Sequence, residues 1–207
     1  QEELDTFANF KTFEEVKDIG QDCLSMRWII TEKSLDSGKK KFKARLVCRG
    51  FEEEDSQFES DSPTVAKTSV RIFLSLTSIC SWKINALDIK AAFLQAEKID
   101  REVFVRPPKS IKRAGTIWHL LKPLYGLADS CRNWYFTLRK ALIDLGFVCS
   151  QEDKSLFYMR TDDLVLDGIL IIHVDDILFS GNGKFLKVMK QVSQRFKISK
   201  SESGSCR

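Results

Sequence analysis

Two adjacent carboxylates, Asp175 and Asp176, interrupt an otherwise apolar, β-prone run from Ile171 to Phe179. Burying two like charges side by side is costly unless a cation neutralises them, or unless the chain turns there and leaves them in water. Either solution restricts the fold: the run must break into two strands, with the carboxylates at one end of a sheet. A divalent ion such as Mg²⁺, which takes hard oxygen ligands, suits the first solution. A solvated turn suits the second, and the pair alone does not separate the two.

A chain of 207 residues holds one domain or two small subdomains and can bury a core. The formal net charge of +4 is mildly basic, but Lys39, Lys40, Lys41, Lys43, Arg45 and Arg49 fall in one short segment. Such clustering says more about an anionic partner than the total does. Six scattered cysteines without a CxxC pair, and only His119 and His173 beside them, exclude a zinc-site spacing. They suit a reducing compartment better than a disulfide framework. The N-terminus is acidic and lacks the apolar stretch of a secretory signal. The longest apolar run, near Ile169–Val174, is too short to span a bilayer, so no membrane partner is expected.

Residues 1–19 read as a helix or an irregular lead-in. Met26–Lys33 and Lys41–Cys48 read as strands joined at the turn signal Leu35-Asp36-Ser37-Gly38. In the second strand, period two puts Lys41, Lys43 and Arg45 on one face and Phe42, Ala44, Leu46 and Cys48 on the other. Glu52–Ser62 reads as an acidic loop. The spacing predicts a helix over Val70–Ser81, capped by Thr68 or Ser69, that buries Ile72, Phe73, Leu76, Ile79 and Cys80. A strand over Trp82–Asp88 ends in a carboxylate, and shorter strands follow at Phe104–Pro108 and Ile117–Leu121. Arg132–Phe147 is the strongest helix, with Gly146 as its C-cap. Ser155–Arg160 and Val165–Val174 form a hairpin, Ile177–Ser180 continues beyond the Asp pair, and Lys184–Phe196 is a final amphipathic helix.

The order strand–helix–hairpin–helix suits a split βαβ sheet covered by helices. In that layout Asp88 and Asp175 end neighbouring strands and could share two metal ions. Adjacent residues on a strand point to opposite faces, so Asp176 joins them only if the chain turns there, as the weaker ligand. Two metals about 3.5–4 Å apart suit nucleotidyl transfer, lowering the pKa of an attacking hydroxyl and stabilising a leaving pyrophosphate.

Lys43-Ala44-Arg45-Leu46-Val47, Ser62-Pro63-Thr64-Val65-Ala66-Lys67, Leu87-Asp88-Ile89-Lys90-Ala91-Ala92-Phe93-Leu94, Leu124-Tyr125-Gly126-Leu127 and His173-Val174-Asp175-Asp176 occur in that order. Together they resemble the reverse transcriptase of copia-type long-terminal-repeat retrotransposons, from about Glu2 to Phe196. The resemblance implies an α+β right-hand polymerase. Its fingers would fall near residues 22–81, its palm near 82–198, and a polar tail at 199–207, with the thumb missing. It implies an RNA-directed DNA polymerase using two Mg²⁺ ions, or Mn²⁺ in their place. The partners would be an RNA or DNA template with primer, dNTPs and the rest of a Pol polyprotein. The location would be cytoplasmic, in a virus-like particle, or nuclear, and not secreted.

By that resemblance Asp88, Asp175 and Asp176 are the catalytic metal ligands, and Lys43 and Arg45 grip the triphosphate. Phe93 is a steric gate against a 2′-hydroxyl, Tyr125 and Gly126 line the nucleotide pocket, and His173 lies near the primer end. Local sequence leaves plainer roles open. Phe93 also suits a core, Lys43 and Arg45 a solvated strand face, and Gly126 an ordinary turn. Trp134 and Tyr135 suit core packing as well as stacking on template bases. The chain departs from the family pattern at His173, where Tyr is usual, at Gln95-Ala96, at Ser130-Cys131, and by one extra residue in Ser62–Lys67. A non-catalytic remnant or nucleic-acid-binding module is the alternative.

Overall fold

The computed structural model describes residues 1–34, 40–53 and 59–204. The first part of the chain forms α1 (Glu2–Asn9), β1 (Phe13–Lys17), β2 (Leu24–Ser34), β3 (Lys40–Cys48), α2 (Lys67–Ile79) and β4 (Ile84–Ile89). Next come β5 (Phe104–Arg106), β6 (Thr116–Leu120), α3 (Ser130–Asp144), β7 (Val148–Cys149) and β8 (Leu156–Arg160). The last elements are β9 (Leu166–His173), β10 (Asp176–Gly181), α4 (Gly183–Arg195) and β11 (Ile198–Gly204). Contacts divide the chain into two discontinuous units, Gln1–Ser60 with Phe93–Asn133, and Asp61–Ala92 with Trp134–Arg207. The breaks fall at residues 60 and 61, at residues 92 and 93, and inside α3.

The first unit is built on a five-stranded sheet in the order β1-β6-β5-β2-β3. β1 is a strand where the sequence suggests only a lead-in; it is short, and its Phe13 stacks on Trp118 of β6 with ring centroids 3.7 Å apart. The β2–β3 hairpin has the expected register, Ile29 opposite Arg45 and Thr31 opposite Lys43. Its turn lies outside the described residues. The two-faced pattern expected of β3 holds only at its C-terminal end. Leu46 and Cys48 are buried, but Phe42 and Ala44 are exposed, and Val47 is buried on the face assigned to the cations.

The second unit is a six-stranded antiparallel sheet in the order β11-β4-β10-β9-β8-β7. The inner order β11-β4-β10-β9, with α3 between β4 and β9 in the chain and α4 between β10 and β11, is the expected split βαβ, ferredoxin-like arrangement. β9 is buried along nearly its whole length, which is why it reads as one apolar run. Alternation sorts its residues. Ile169 and Ile171 join Leu156 and Phe73 of α2 in one core cluster. Leu170 and Ile172 point the other way, as do their register partners Phe179 and Ile177. On that side Phe185 of α4 packs against the backbone of Gly168 and Gly181; a Cβ on Gly168 would lie 2.2 Å from the Phe185 ring.

The second unit corrects three expectations about its elements. α2 begins earlier than predicted, and neither Thr68 nor Ser69 caps it. Instead Asp153, from the loop before β8, accepts the Ala66 N–H at 2.9 Å. The helix buries Ser69, Phe73 and Thr77, while Ile72, Ile79 and Cys80 are exposed. Finally, the polar segment after Phe196 is not a tail over its described part; it is the edge strand β11.

Candidate active site

Four side chains line up across the second sheet. Lys200 of β11 is the register partner of Asp88, Asp88 of Asp176, and Asp176 of His173. Directly opposed residues share a face, so the row Lys200–Asp88–Asp176–His173 stands on the same side as Ile171 and Leu178. Two like charges face each other across adjacent strands at its centre, an arrangement that is destabilising without compensation.

Asp175 lies in the two-residue turn between β9 and β10. Val174, the first turn residue, has φ +58°. That left-handed value is an outlier for a β-branched residue and strains the backbone beside both carboxylates. Two hydrogen bonds hold the turn. The Trp134 indole N–H donates to the Val174 carbonyl at 2.8 Å, and the Ile89 N–H donates to the Asp175 carbonyl at 3.2 Å. Trp134 and Tyr135 are 1% and 4% exposed, which leaves no face for stacking on bases. The Tyr135 hydroxyl donates to the Lys154 carbonyl at 2.9 Å, and burial pushes its pKa up to about 12. Sequence reasoning found Trp134 as a helix core residue but missed its tie to the turn, because nothing in the spacing pairs residue 134 with residue 174.

Sequence reasoning also missed Ser199. The β4–β11 register shifts between Ile198 and Lys200, and at that irregularity the Ser199 hydroxyl donates to Asp88 Oδ2 at 2.5 Å. Oxygen donors on one face suit a hard divalent cation. Among the described residues no three His, Cys, Asp or Glu side chains form a ready-made cage. A Mg²⁺ ion here would rest on one or two carboxylates, with its other positions left to water and substrate phosphates, which is the usual way proteins hold it. Beside the row a cavity of about 370 Å³ is lined by Val65, Val70, Ala86, Leu87, Ile171, Ile177 and Leu178, with His173 and Asp176 its polar members.

The remaining predicted residues belong to the first unit, apart from His173, which is exposed in the row above. The Phe93 and Tyr125 rings meet edge-on with centroids 5.1 Å apart. The Arg45 guanidinium lies 5.9 Å from the Tyr125 ring centroid, at the limit of a cation–π contact. Lys43 is exposed, and Arg45 is half-buried. Gly126 has φ +92°, and a Cβ there would lie 2.0 Å from the Cys48 carbonyl oxygen. What approaches its backbone is therefore the end of β3. The Cys48 N–H donates to the Tyr125 carbonyl at 2.8 Å, and the Gly50 N–H to that of Gly126 at 3.1 Å. Arg101 braces the same loop by forking onto Asp129 at 3.0 and 3.1 Å and reaching Glu53 at 3.3 Å. Burial pushes the Cys48 thiol up to about 12, so it is no nucleophile. None of the five described cysteines forms a disulfide. Among the described residues no helix is long and apolar enough to cross a membrane.

Comparison with known proteins assigns the chain. The retrovirus-related Pol polyproteins from transposons RE1 and RE2 of Arabidopsis thaliana are 37% and 36% identical to it over 183 residues. The match covers 85% of this chain and 12% of each polyprotein. The corresponding polyprotein from transposon TNT 1-94 of Nicotiana tabacum is 30% identical over 205 residues, 95% of this chain and 15% of that one. The chain thus spans a small part of these relatives. A foamy viral protease-reverse transcriptase, solved in complex with double-stranded DNA, aligns with 99% of this chain and 30% of its own at 13% identity and a TM-score of 0.48. The family described as reverse transcriptase (RNA-dependent DNA polymerase) matches residues 8–204. That match spans nearly the whole chain, both units and the Asp88–Asp176 row included, and the chain belongs to the reverse transcriptase family.

Proposed function

We propose that this chain is the nucleotide-adding part of a retrotransposon Pol polyprotein, extending a primer 3′-hydroxyl with dNTPs on an RNA or DNA template. The observation that carries the reading is the direct opposition of Asp88 and Asp176 across β4 and β10, with Asp175 in the adjoining turn. Opposed carboxylates at the open end of a sheet are a poor structural element and a good seat for divalent cations. Two such ions supply the chemistry: a more acidic attacking hydroxyl and a stabilised pyrophosphate.

The chain's own residues do the rest. Asp88, Asp175 and Asp176 hold the cations, and the pinned turn keeps the last two in place. Lys43 and Arg45 in the first unit bind the triphosphate, Arg45 braced by the Tyr125 ring. Phe93, fixed against Tyr125, presents its ring to the sugar and excludes a 2′-hydroxyl. Tyr125 and Gly126 shape the nucleotide pocket, and His173 faces the primer end. Primer extension on an RNA template with Mg²⁺ and dNTPs, run beside Asp175→Asn, tests the reading. Extension lost in the variant supports it. Nucleic-acid binding without extension by the parent chain would leave a binding module instead.

A further inference from the structure

We infer that Ser199 is a positioning residue for Asp88: its hydroxyl sets the carboxylate that receives the divalent cation. The inference rests on the metal-dependent reading above and assigns a role to a strand that reading does not use.

Ser199 sits at the register irregularity of β11, between Ile198 opposite Ile89 and Lys200 opposite Asp88. A residue at such an irregularity is released from the pairing pattern, and its side chain can be re-aimed. Here the hydroxyl reaches Asp88 Oδ2 at 2.5 Å, with the Asp88 carbonyl 3.3 Å away. An ionised carboxylate only accepts hydrogen bonds and offers about four lone-pair sites on its two oxygens. Ser199 takes one from the β11 side, while Asp176 stands on the β10 side of the same carboxylate. The bond therefore fixes the carboxylate plane while leaving acceptor sites for a cation. Short bonds from a hydroxyl to a carboxylate are among the stronger hydrogen bonds. Partners that orient a ligating carboxylate typically contribute about 10–100-fold to metal affinity. Ser199 is exposed and fills no part of the core, so stability alone gives it no evident task.

The test is titration of the 207-residue chain with Mn²⁺ alone, the unbound ion read by electron paramagnetic resonance. It compares the parent with Asp88→Asn, Ser199→Ala and Ser199→Thr. The expected result is binding by the parent, its loss in Asp88→Asn, about 10-fold weaker binding in Ser199→Ala, and near-parent affinity in Ser199→Thr, which keeps the hydroxyl. A merely structural role would not be restored by Thr while leaving thermal unfolding of the Ala variant at the parent value. Parent-like or tighter binding by Ser199→Ala overturns the inference and leaves the metal reading standing. Parent binding that Asp88→Asn does not reduce, or no binding at all, overturns both.

Discussion

At the scale of single residues, the turn that carries the Asp pair is strained at one point and tied at two. Val174 adopts a left-handed φ, and the Trp134 and Ile89 N–H groups hold the carbonyls of Val174 and Asp175. Trp134→Phe keeps a buried aromatic ring but removes the donor. It should lower unfolding stability in urea by about 0.5–1.5 kcal/mol, the usual net contribution of one hydrogen bond. It should also reduce primer extension; full extension would show that the turn does not depend on that bond. Phe93 tests the other half of the proposal. Phe93→Val should admit ribonucleotides where the parent rejects them, read as a changed dNTP-to-rNTP incorporation ratio, and an unchanged ratio would reject the gate. Neither residue's setting was legible in the sequence. Trp134 fell on the apolar stripe of α3, but its polar atom answers a carbonyl 40 residues away. Phe93 was ambiguous between gate and core, and its edge-on packing on Tyr125 needed the fold to be seen.

At the scale of elements, legibility followed burial. β9 was readable because both its faces are buried and its centre, Ile169–Ile172, is an unbroken apolar run. β11 was not, because it is an exposed edge strand of alternating Ser, Lys and Glu with no apolar period to detect. It is nevertheless the strand that brings Ser199 and Lys200 beside Asp88. The capping signal of α2 misleads for a related reason: Thr68 and Ser69 are good caps by type, but the cap comes from a distant loop. Asp153 accepts the N–H groups of Ala66 and Ser155. Burial pushes the Asp153 carboxyl up, but the Ser69 hydroxyl and those two N–H groups outweigh it and hold its pKa below the usual value. A lowered folded pKa means that the cap contributes fully above the ordinary aspartate value of about 3.9. The contribution is lost as pH falls through the folded value. Asp153→Ala should therefore cost about 0.5–2 kcal/mol at pH 7. The gap between variant and parent should narrow as urea unfolding is repeated toward pH 3; a gap that widens in acid would refute the cap.

At the scale of the whole molecule, the chain is two discontinuous units, each holding part of the proposed machinery. The first carries Lys43, Arg45, Phe93 and the Tyr125-Gly126 loop locked onto the end of β3. The second carries the carboxylate row. The split βαβ order of β4, β9 and β10 was legible because β9 reads as one apolar run set off from β10 by the Asp pair, while α3 and α4 show a helical period. The discontinuity was not, since segments 61–92 and 93–133 pack with partners distant in sequence. On the proposed reading, the opposed Asp88 and Asp176 carboxylates make this fold a metal-dependent polymerase. Its most direct test is primer extension by the 207-residue chain on an RNA template, with and without Mg²⁺, beside Asp88→Asn and Asp176→Asn. Mg²⁺-dependent extension that falls at least about 100-fold in Asp88→Asn and also falls in Asp176→Asn is the predicted result. Extension that persists in Asp88→Asn, or a parent chain that binds primer–template and never extends it, would contradict the claim.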